Sequence, residues 1–418
     1  MTRISDRVSS KFNASRLMKM NDGGNALLFE NVIDYRTQVV SGLCGTKQRI
    51  ARTLGKTEDQ LYSIMTKAIA NPVEPKVVDD GRVKEVAEPP KLTGIPILVH
   101  YEKDPGPYIT AGIVSAKDSE GVIENVSIHR MLVLDDNHLT LRIVPRHLYA
   151  LCRMAREKGK DSLDVAVAIG LNPGITLAAA SSAPFGVSEY SVANAMLNNS
   201  VELTEIGDSG LRVPADAELA FEARILLNKD VDEGPFVDLT GTYDIVRKQP
   251  LVEVKKIYHR TGYIYQALLP SGSEHRILMG LPFEARIYDT VRGVVPKVKA
   301  VNLTPGGSGW LHAVISIEKQ TEGDGKNALM AAFGAHPSLK HAVVVDSDID
   351  VANPHEIEWA IATRFQADKG LIIIQNARGS TLDPSADQHN GTTTKVGVDA
   401  TRTLSKPVEK FMRAKIPN

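Results

Sequence analysis

Cysteine is almost absent from this 418-residue sequence, which contains only Cys44 and Cys152. Two isolated cysteines cannot form a disulfide framework, and they lack the close spacing of metal-binding pairs. Positive charge is not in excess either, because 49 Lys and Arg residues are balanced by 50 Asp and Glu residues. These absences exclude a disulfide-stapled secreted domain and argue against nucleic acid or an anionic membrane as a partner. A reduced, cytoplasmic location fits best.

Long apolar runs are also missing. No run approaches the ~20 residues needed to cross a bilayer, and the first residues, Met1–Arg7, contain no apolar signal-peptide core. What is present is a composition of 43% hydrophobic and 24% charged residues, typical of a globular protein. A chain of 418 residues exceeds one small core, so we expect two or three domains.

The first segment, residues 1–94, is predicted to be α/β. A strand is expected over residues 26–32, and a helix is expected around residues 47–54. Thr57 and Gln60 have the spacing of a capping box, which predicts the start of a second helix. The proline-containing, charged stretch 77–91 has the composition of a linker, and it ends the segment.

From about residue 95 the apolar residues alternate with a period of two, which indicates strands. Short runs separated by Gly, Pro and Asp favour an antiparallel meander or barrel over residues 95–297, interrupted by a few helices. In residues 298–418 the runs 341–345 and 371–374 are expected to be buried strands of a parallel α/β unit, joined by a helix that Asn353 caps. The sequence therefore predicts an α+β fold, with a central split β-barrel between N-terminal and C-terminal α/β segments.

Polar side chains are concentrated in one predicted strand near the start of the barrel. Because successive side chains of a strand point to opposite faces, Asn125, Ser127 and His129 would face one way and Ile128 and Arg130 the other. This places an amide, a hydroxyl and an imidazole together. Taken alone, the pattern is also typical of a solvated strand.

Four other stretches concentrate polar groups beside glycine or small residues, at 142–147, 180–189, 233–238 and 395–399. Each has an ordinary structural interpretation, since a lone polar side chain on a strand or turn is usually hydrogen-bonded structure. The acidic stretch 346–350 lacks the glycine and final glutamate of a calcium-binding loop, so we interpret it as an acidic strand end.

Read together, these stretches resemble the motifs of the UbiD-type decarboxylases, a family that uses prenylated flavin mononucleotide (prenyl-FMN). The motifs occur in family order and span the chain from about Ala26 to Thr401. They are Asn125–Arg130, Ala180-Ser181-Ser182-Ala183-Pro184 leading to Glu189, Glu233–Asp238, Val344–Asp350, Trp359–Arg364 and Lys395–Thr401. Agreement over this span makes the resemblance specific.

The resemblance implies two cation sites beside the cofactor phosphate. Asn125, His147 and Glu189 match the ligands of a divalent metal, usually manganese. An amide oxygen, an imidazole nitrogen and a carboxylate suit Mn²⁺, and the ion would cancel a phosphate charge that is costly to bury. The positions that match a second site, for K⁺, are Ala180, Ser181, Ala183 and Glu189.

The resemblance also implies which residues contact the flavin. The matching positions are Ile128, His129, Arg130, Arg142, Ile143, Val144, His147 and Leu148. Lys395 matches a lysine that contacts the cofactor phosphate.

Arg130, Glu233 and Asp238 match the family's catalytic network of one arginine and two acids. Two buried carboxyls would repel one another, and a lone buried charge is costly unless it is paired. Arg130 can hold one acid ionised while the other keeps a proton for delivery. Asp238 occupies the proton-donor position, where the family has either Glu or Asp.

The resemblance implies a non-oxidative decarboxylase. Loss of CO₂ from an sp² carbon leaves a carbanion that no side chain can stabilise, and a covalently bound cofactor that accepts electrons removes this obstacle. The short chain resembles the compact archaeal branch, which converts trans-anhydromevalonate phosphate to isopentenyl phosphate in isoprenoid biosynthesis. The alternatives are a reversible decarboxylase of aromatic or heteroaromatic acids of the 4-hydroxybenzoate type, a non-catalytic flavin-binding protein, and a structural protein with a degenerate site. A flavin prenyltransferase is the expected cofactor supplier, and a homo-oligomer (dimer or hexamer) is expected to assemble through the C-terminal segment.

Overall fold

The chain divides into two units, Met1–Leu278 and Met279–Asn418, in a computed structural model of the protein. The structure describes residues 1–181, 183–414 and 416. In this described part of the chain, no helix is both long enough and apolar enough to cross a bilayer. The division into three segments at residues 94 and 297 stays a prediction.

The start of the first unit is α/β, as predicted. Its helices are α1 (Asn13–Met20), α2 (Lys47–Thr53) and α3 (Leu61–Ala70), and its strands are β1 (Thr2–Val8), β2 (Leu27–Val32), β3 (Val39–Ser41), β4 (Lys76–Val77) and β5 (Val86–Glu88). The predicted capping box is present, because Gln60 Oε1 accepts the Thr57 N–H while the Thr57 side chain caps the turn. It opens a 3-10 turn, Glu58–Gln60, that continues into α3.

The rest of the first unit is rich in strands. The strands are β6 (Tyr108–Ile109), β7 (Ile113–Lys117), β8 (Glu124–Ile128), β9 (Met131–Val133), β10 (His138–Leu141), β11 (Ser162–Ile169), β12 (Glu202–Ile206), β13 (Leu211–Pro214), β14 (Leu219–Glu233), β15 (Phe236–Val237), β16 (Tyr243–Asp244), β17 (Arg247–His259) and β18 (Tyr265–Gln266). The helices are α4 (His147–Glu157), α5 (Pro173–Ala180) and α6 (Glu189–Met196).

One large sheet organises this unit. Its strand order is β6-β9-β10-β17-β14-β11-β7-β8, and β5 adds to β17. Residues 77–91, predicted to be a linker, therefore contribute a strand to the sheet. The long pair β14 and β17 shifts register twice, and such irregularities bend a strand. The sheet curls into a half-barrel over an apolar core that includes Phe221, Val165 and Leu139, which confirms the predicted central barrel.

A smaller sheet pairs β1, β2, β3 and β18 in that order, and β13, β12 and β4 form another. The strands β15 and β16 form a two-stranded hairpin directly after β14. This hairpin is short, but it follows Glu233 and carries the predicted acid motif.

The second unit is α/β, as predicted. Helix α7 (Ser273–Arg292) runs into it, followed by α8 (Asp324–Ala335), α9 (Pro354–Arg364), α10 (Ala367–Gly370), β19 (Val298–Leu303), β20 (His312–Ile317), β21 (His341–Asp346), β22 (Leu371–Arg378) and β23 (Thr392–Ala400). Asn353 caps α9 through its side chain, as the sequence predicts.

The prediction for β22 was wrong in both pairing and burial. The sheet order is β19-β20-β21-β23-β22, so β22 is an edge strand that pairs antiparallel with β23, and β23 is the parallel neighbour of β21. Leu371 and Ile373 are exposed. An apolar run of this length is equally compatible with an edge strand, because the sequence of a strand does not indicate which neighbouring strand it pairs with.

Candidate active site

Strand β8 presents a chain of polar side chains on one face, as its alternation predicts. Ser127 Oγ lies 3.0 Å from Asn125 Oδ1 and 2.9 Å from His129 Nε2, and His129 Nδ1 lies 2.8 Å from the Arg142 carbonyl oxygen. A carbonyl only accepts, so Nδ1 carries the proton. Burial lowers the pKa of His129 to about 4, so Nε2 is an acceptor, and the Ser127 hydroxyl lies within reach of both Nε2 and Asn125 Oδ1. An amide oxygen has two lone pairs, so Asn125 Oδ1 can accept from Ser127 and still act as a ligand.

Glu189 is brought to the same place by helix α6. Ser188 caps the helix, and the Glu189 carboxylate accepts the Val126 N–H at 2.7 Å. Asn125 Nδ2 lies 3.3 and 3.4 Å from its two oxygens, and His147 Nδ1, at the start of α4, lies 3.9 Å from Oε1. The three residues predicted to bind the metal therefore lie side by side, with Glu189 between Asn125 and His147.

The surroundings of Glu189 suit a cation. Its side chain is 3% exposed, and burial raises the pKa of the carboxyl, so a positive charge would offset the cost of keeping it ionised. Among the described residues, no group of three or more His, Cys, Asp or Glu side chains is placed to hold a metal ion. The candidate set therefore depends on the Asn125 amide.

The residues predicted for K⁺ lie at the carboxyl end of α5. Ala180 is the last residue of that helix, where carbonyl oxygens have no intrahelical partner. Ser181 Oγ is buried and has no hydrogen-bond partner within the described chain. Ala183 is buried, and Ser182, part of the same motif, lies outside the described residues. Carbonyl and hydroxyl oxygens of this kind suit a hard cation.

Arg130 is the centre of a second cluster. Its Nε donates to Glu233 Oε1 and its Nη2 to Glu233 Oε2, both at 2.9 Å, and its Nη1 donates to Asp238 Oδ2 at 2.6 Å. The guanidinium also lies over the Phe236 ring, 4.7 Å from its centroid. The side chains of Arg130 and Glu233 are 8% and 0% exposed. The arginine and both acids that the sequence predicts are thus brought into direct contact.

Glycine makes the turn after Glu233 possible. Gly234 has φ of +96°, a region that favours glycine, and a Cβ there would approach the Ile245 carbonyl oxygen to 3.2 Å. The chain can therefore leave β14 and fold into the β15–β16 hairpin. This turn carries Asp238 back to Arg130.

The sequence interpretation missed two members of this cluster. Asp244 Oδ2 accepts from Arg130 Nη2 at 3.1 Å, and Tyr108 Oη donates to Glu233 Oε1 at 3.1 Å. Asp244 was detectable in principle, since it follows the acid motif on an adjoining polar stretch. Tyr108 carried no such signal.

The residues predicted to contact the flavin have different surroundings. Leu148 belongs to the apolar core, and Ile143 is buried with its N–H donated to Gln249. The side chain of Arg142 is 14% exposed, and its Nε lies 4.0 Å from Asp244. Ile128 and Val144 are half-buried. Flavin contact by these residues stays a prediction.

Lys395 lies on β23 in the second unit. Its ammonium donates to the carbonyl oxygens of Pro337 and Leu339 at 2.6 and 2.5 Å, and burial lowers the pKa of the amine to about 8. These contacts hold the side chain within its own unit. A contact with a cofactor phosphate stays a prediction.

Comparison with known proteins gives three family matches along the chain. A 3-octaprenyl-4-hydroxybenzoate carboxy-lyase Rift-related domain (UbiD) matches residues 76–273, and the corresponding N-terminal and C-terminal domains match residues 1–69 and 276–400.

Curated relatives match over nearly the whole chain. An anhydromevalonate phosphate decarboxylase from Methanothermobacter thermautotrophicus is 46% identical over 412 residues, which cover 98% of this chain and 96% of the relative. An enzyme of the same name from Methanocaldococcus jannaschii is 46% identical over 419 residues, covering 99% and 97%. Among solved structures, the UbiD-class enzyme HmfF from Pelotomaculum thermopropionicum in complex with FMN is 40% identical, with a TM-score of 0.96 and coverage of 100% of this chain and 94% of that one. An evolved dimeric form of HmfF in complex with prFMN is 38% identical, with a TM-score of 0.92 and the same coverage.

Proposed function

Because this chain belongs to the UbiD family of carboxy-lyases, we propose that it removes CO₂ from trans-anhydromevalonate phosphate and forms isopentenyl phosphate. The observation that carries the choice of substrate is 46% identity, over almost the full length of both chains, to two relatives named for this activity. The Arg130 cluster supports the reaction class, since it combines a cation for a carboxylate with a candidate proton donor.

We propose prenyl-FMN as the cofactor, held through Mn²⁺ and K⁺. The FMN and prFMN complexes of the similar HmfF structures support the flavin. The residues fit the ions, because the Asn125 oxygen has a second lone pair beside the one that accepts from Ser127, Glu189 is a buried acid and Ser181 Oγ has no partner in the described chain. Asn125, His147 and Glu189 would hold Mn²⁺, and the end of α5 would hold K⁺. When bound, prenyl-FMN would supply an electron sink for the electron pair released with CO₂.

The side chains of the Arg130 cluster then orient the substrate and transfer one proton. Arg130 orients the substrate carboxylate, and the Phe236 and Tyr108 rings, 4.4 Å apart between centroids, shield the guanidinium from water. The C–C bond to the carboxyl group breaks, and CO₂ leaves. Asp238 delivers a proton to the carbon that has lost CO₂, and solvent reprotonates Asp238 because its side chain is 15% exposed. The reaction has no net redox change.

The proposed function is tested by producing the protein together with a flavin prenyltransferase, the expected cofactor supplier. The absorption spectrum of the bound chromophore is recorded first, and CO₂ release is then measured with trans-anhydromevalonate phosphate and with 4-hydroxybenzoate-type acids. Release from the phosphorylated acid, with isopentenyl phosphate as product, is expected. Release of CO₂ from the aromatic acids alone would show that an aromatic acid, and not trans-anhydromevalonate phosphate, is the substrate. A bound flavin with no CO₂ release would indicate a non-catalytic flavin-binding protein.

We also propose that the protein assembles as a homo-oligomer. A dimeric form of HmfF, 38% identical to this chain, supports self-association. Light scattering on the purified protein would measure its mass, and a monomer at micromolar concentration would contradict the proposal.

The metal site leads to a prediction for Glu189→Gln. The amide keeps the shape of the side chain but removes its charge, so Mn²⁺ affinity should fall by more than about 10-fold, since even the partners of metal ligands contribute 10–100-fold. Mn²⁺ binding to the purified protein is measured by titration and elemental analysis. Binding should also weaken as pH falls, because burial raises the pKa of Glu189 and the proton competes with the ion.

Glu274→Gln is a matched control for this prediction. Glu274 is also a buried glutamate that accepts backbone N–H groups, from Gly42 and Cys44 at 2.9 and 2.7 Å, but it is outside the proposed metal site. Its variant should bind Mn²⁺ as the native protein does. Equal Mn²⁺ content in the native protein and the Glu189 variant would remove Glu189 from the ligand set.

A further inference from the structure

A third carboxylate, that of Asp244, contacts the Arg130 guanidinium. Its side chain is 1% exposed, and it joins two arginines: Oδ2 accepts from Arg130 Nη2 at 3.1 Å, and Oδ1 accepts from Arg247 Nη2 at 2.9 Å. Oδ1 also accepts the Ile245 N–H at 2.9 Å. Both oxygens of the Asp244 carboxylate therefore accept hydrogen bonds, and these bonds fix the position of the side chain.

The backbone places Asp244 and Arg247 on the strands that build the Arg130 cluster. In the β15–β16 hairpin Asp244 is paired with Phe236, whose ring lies under Arg130. In the main sheet Arg247 is the register partner of Glu233, and directly opposed residues share a face. Three acids from one stretch of 12 residues, 233–244, thus surround a single guanidinium.

The hydrogen-bond donors of Arg130 are almost fully used. A guanidinium has five N–H groups. The Nε–H and both Nη2–H groups are taken by Glu233 and Asp244, and one Nη1–H is taken by Asp238. One Nη1–H is left for an incoming carboxylate. Asp244 therefore determines which edge of Arg130 faces Asp238 and the substrate.

The charges of the cluster are balanced in a way that depends on Asp244. Burial alone would raise the pKa of Asp244, but Arg247, Arg130 and Arg142 lower it below its ordinary value, so it stays ionised. Three carboxyl groups, those of Glu233, Asp238 and Asp244, therefore share these three arginines, and a substrate carboxylate would add a fourth acidic group to the cluster. Asp238, the most exposed of the three acids, is the one in contact with solvent.

We propose that Asp244, together with Arg247, is a positioning residue for decarboxylation: it fixes the Nη2 edge of Arg130 and so the direction in which Nη1 faces Asp238 and the substrate. This inference rests on the proposed function. Asp244 touches neither substrate nor cofactor in this role and acts through Arg130.

Other charged groups face the same cluster. Arg142 Nε lies 4.0 Å from Asp244. Asp104 interacts electrostatically with Arg130, and the half-buried His275 interacts with both Asp238 and Arg130. Burial lowers the pKa of His275, so its charge is disfavoured. These groups are unchanged in the variants described next, so they contribute equally to the pH dependence of kcat/KM in each of them.

The test compares the pH dependence of kcat/KM for Asp244→Asn and Arg247→Gln. Asp244→Asn removes a negative charge from the Arg130 cluster, which makes the loss of a proton there easier, so the alkaline limb of the profile should move to lower pH by about one pH unit. Arg247→Gln removes a positive charge, so the limb should move to higher pH. In both variants kcat should fall about 10–100-fold, because the clamp on the substrate is misaligned, and Asp244→Glu should recover part of it.

Asp164→Asn is the matched control. Asp164 also bridges two cations, Arg224 and Lys255, at 2.7 and 3.0 Å, but its side chain is 32% exposed and lies outside the cluster. Its variant should keep the native profile. The inference would be overturned if the alkaline limb of the kcat/KM profile stayed at its native pH in both Asp244→Asn and Arg247→Gln while only the rate fell. A purely structural role would lower the rate without shifting the two profiles in opposite directions.

A second measurement does not depend on activity. A crystal structure of cofactor-free Asp244→Ala, which has no side-chain oxygen to accept from Arg130 Nη2, is expected to show the Arg130 guanidinium turned away from its double contact with Glu233. An unchanged Arg130 would overturn the positioning role. If the native holoenzyme releases no CO₂ from any acid tested, the proposed function fails by itself, whereas native activity with unshifted variants contradicts only the inference about Asp244.

Discussion

Asp238→Asn is expected to lower kcat by about 10²–10⁴-fold, the contribution of a positioned general acid, while the bound flavin is retained. Asp238 accepts from Arg130 Nη1 through Oδ2 at 2.6 Å and from the Leu239 N–H through Oδ1 at 2.7 Å, so the single amide oxygen of asparagine can keep the contact with Arg130 and loses the one with Leu239. The contact with Arg130 is therefore preserved, but the side chain has no acidic proton to deliver. Turnover is measured as CO₂ release under saturating substrate, and the flavin spectrum is recorded on the same preparation.

Two further variants make this prediction specific. Asp238→Glu keeps an acid and should retain measurable turnover. Asp232→Asn removes a carboxylate one residue before Glu233, but Asp232 is 66% exposed and pairs with Lys248 at the surface, so its variant should be fully active. Native turnover in Asp238→Asn would show that another group donates the proton, and loss of the flavin would show that Asp238 has a structural task.

Local sequence patterns predicted the β8 site because the relevant interactions are short in sequence. Asn125, Ser127 and His129 alternate on one strand, and two-residue alternation alone puts them on one face. The cap of α9 was predicted for the same reason, since Asn353 acts on a backbone group two residues away. Such features depend on little beyond the neighbouring residues.

Contacts between distant parts of the chain could not be predicted in the same way. Tyr108 and Glu233 are 125 positions apart, and nothing near either residue indicates the other. Helix α7 was not predicted, and its interior contains Pro282, which ordinarily ends a helix. The edge position of β22 depends on β23 inserting beside β21, a choice made by the whole sheet. The family resemblance predicted the Arg130, Glu233 and Asp238 set, whereas the contact between Asp244 and Arg130 was found in the structure.

Replacing Arg130 with methionine should have the largest combined effect, because one guanidinium serves three acids. Burial opposes the charge of Arg130, yet Glu233, Asp238 and Asp244 raise the pKa of the guanidinium above its ordinary value. Without it, Glu233 and Asp244, which are 0% and 1% exposed, lose the cation they share. Removing one partner of a buried ion pair costs about 3–5 kcal/mol, so the free energy of unfolding at pH 7 should fall by about that amount. kcat should fall by at least about 10²–10³-fold.

The pH dependence of the loss identifies its cause. Despite burial, Arg247, Arg130 and Arg142 together lower the pKa of Asp244 in the native protein, and a group with a lowered pKa contributes stability above its ordinary pKa of about 4 that is lost as pH falls. Arg130→Met removes part of this contribution, so the difference between native protein and variant should be smallest near pH 4 and grow towards pH 7. Urea unfolding across this range measures it. Arg224→Met, which removes an arginine from the part-exposed pair with Asp164, should cost less than about 1 kcal/mol. A pH-independent loss for Arg130→Met would attribute its effect to lost packing against Phe236, because packing does not titrate.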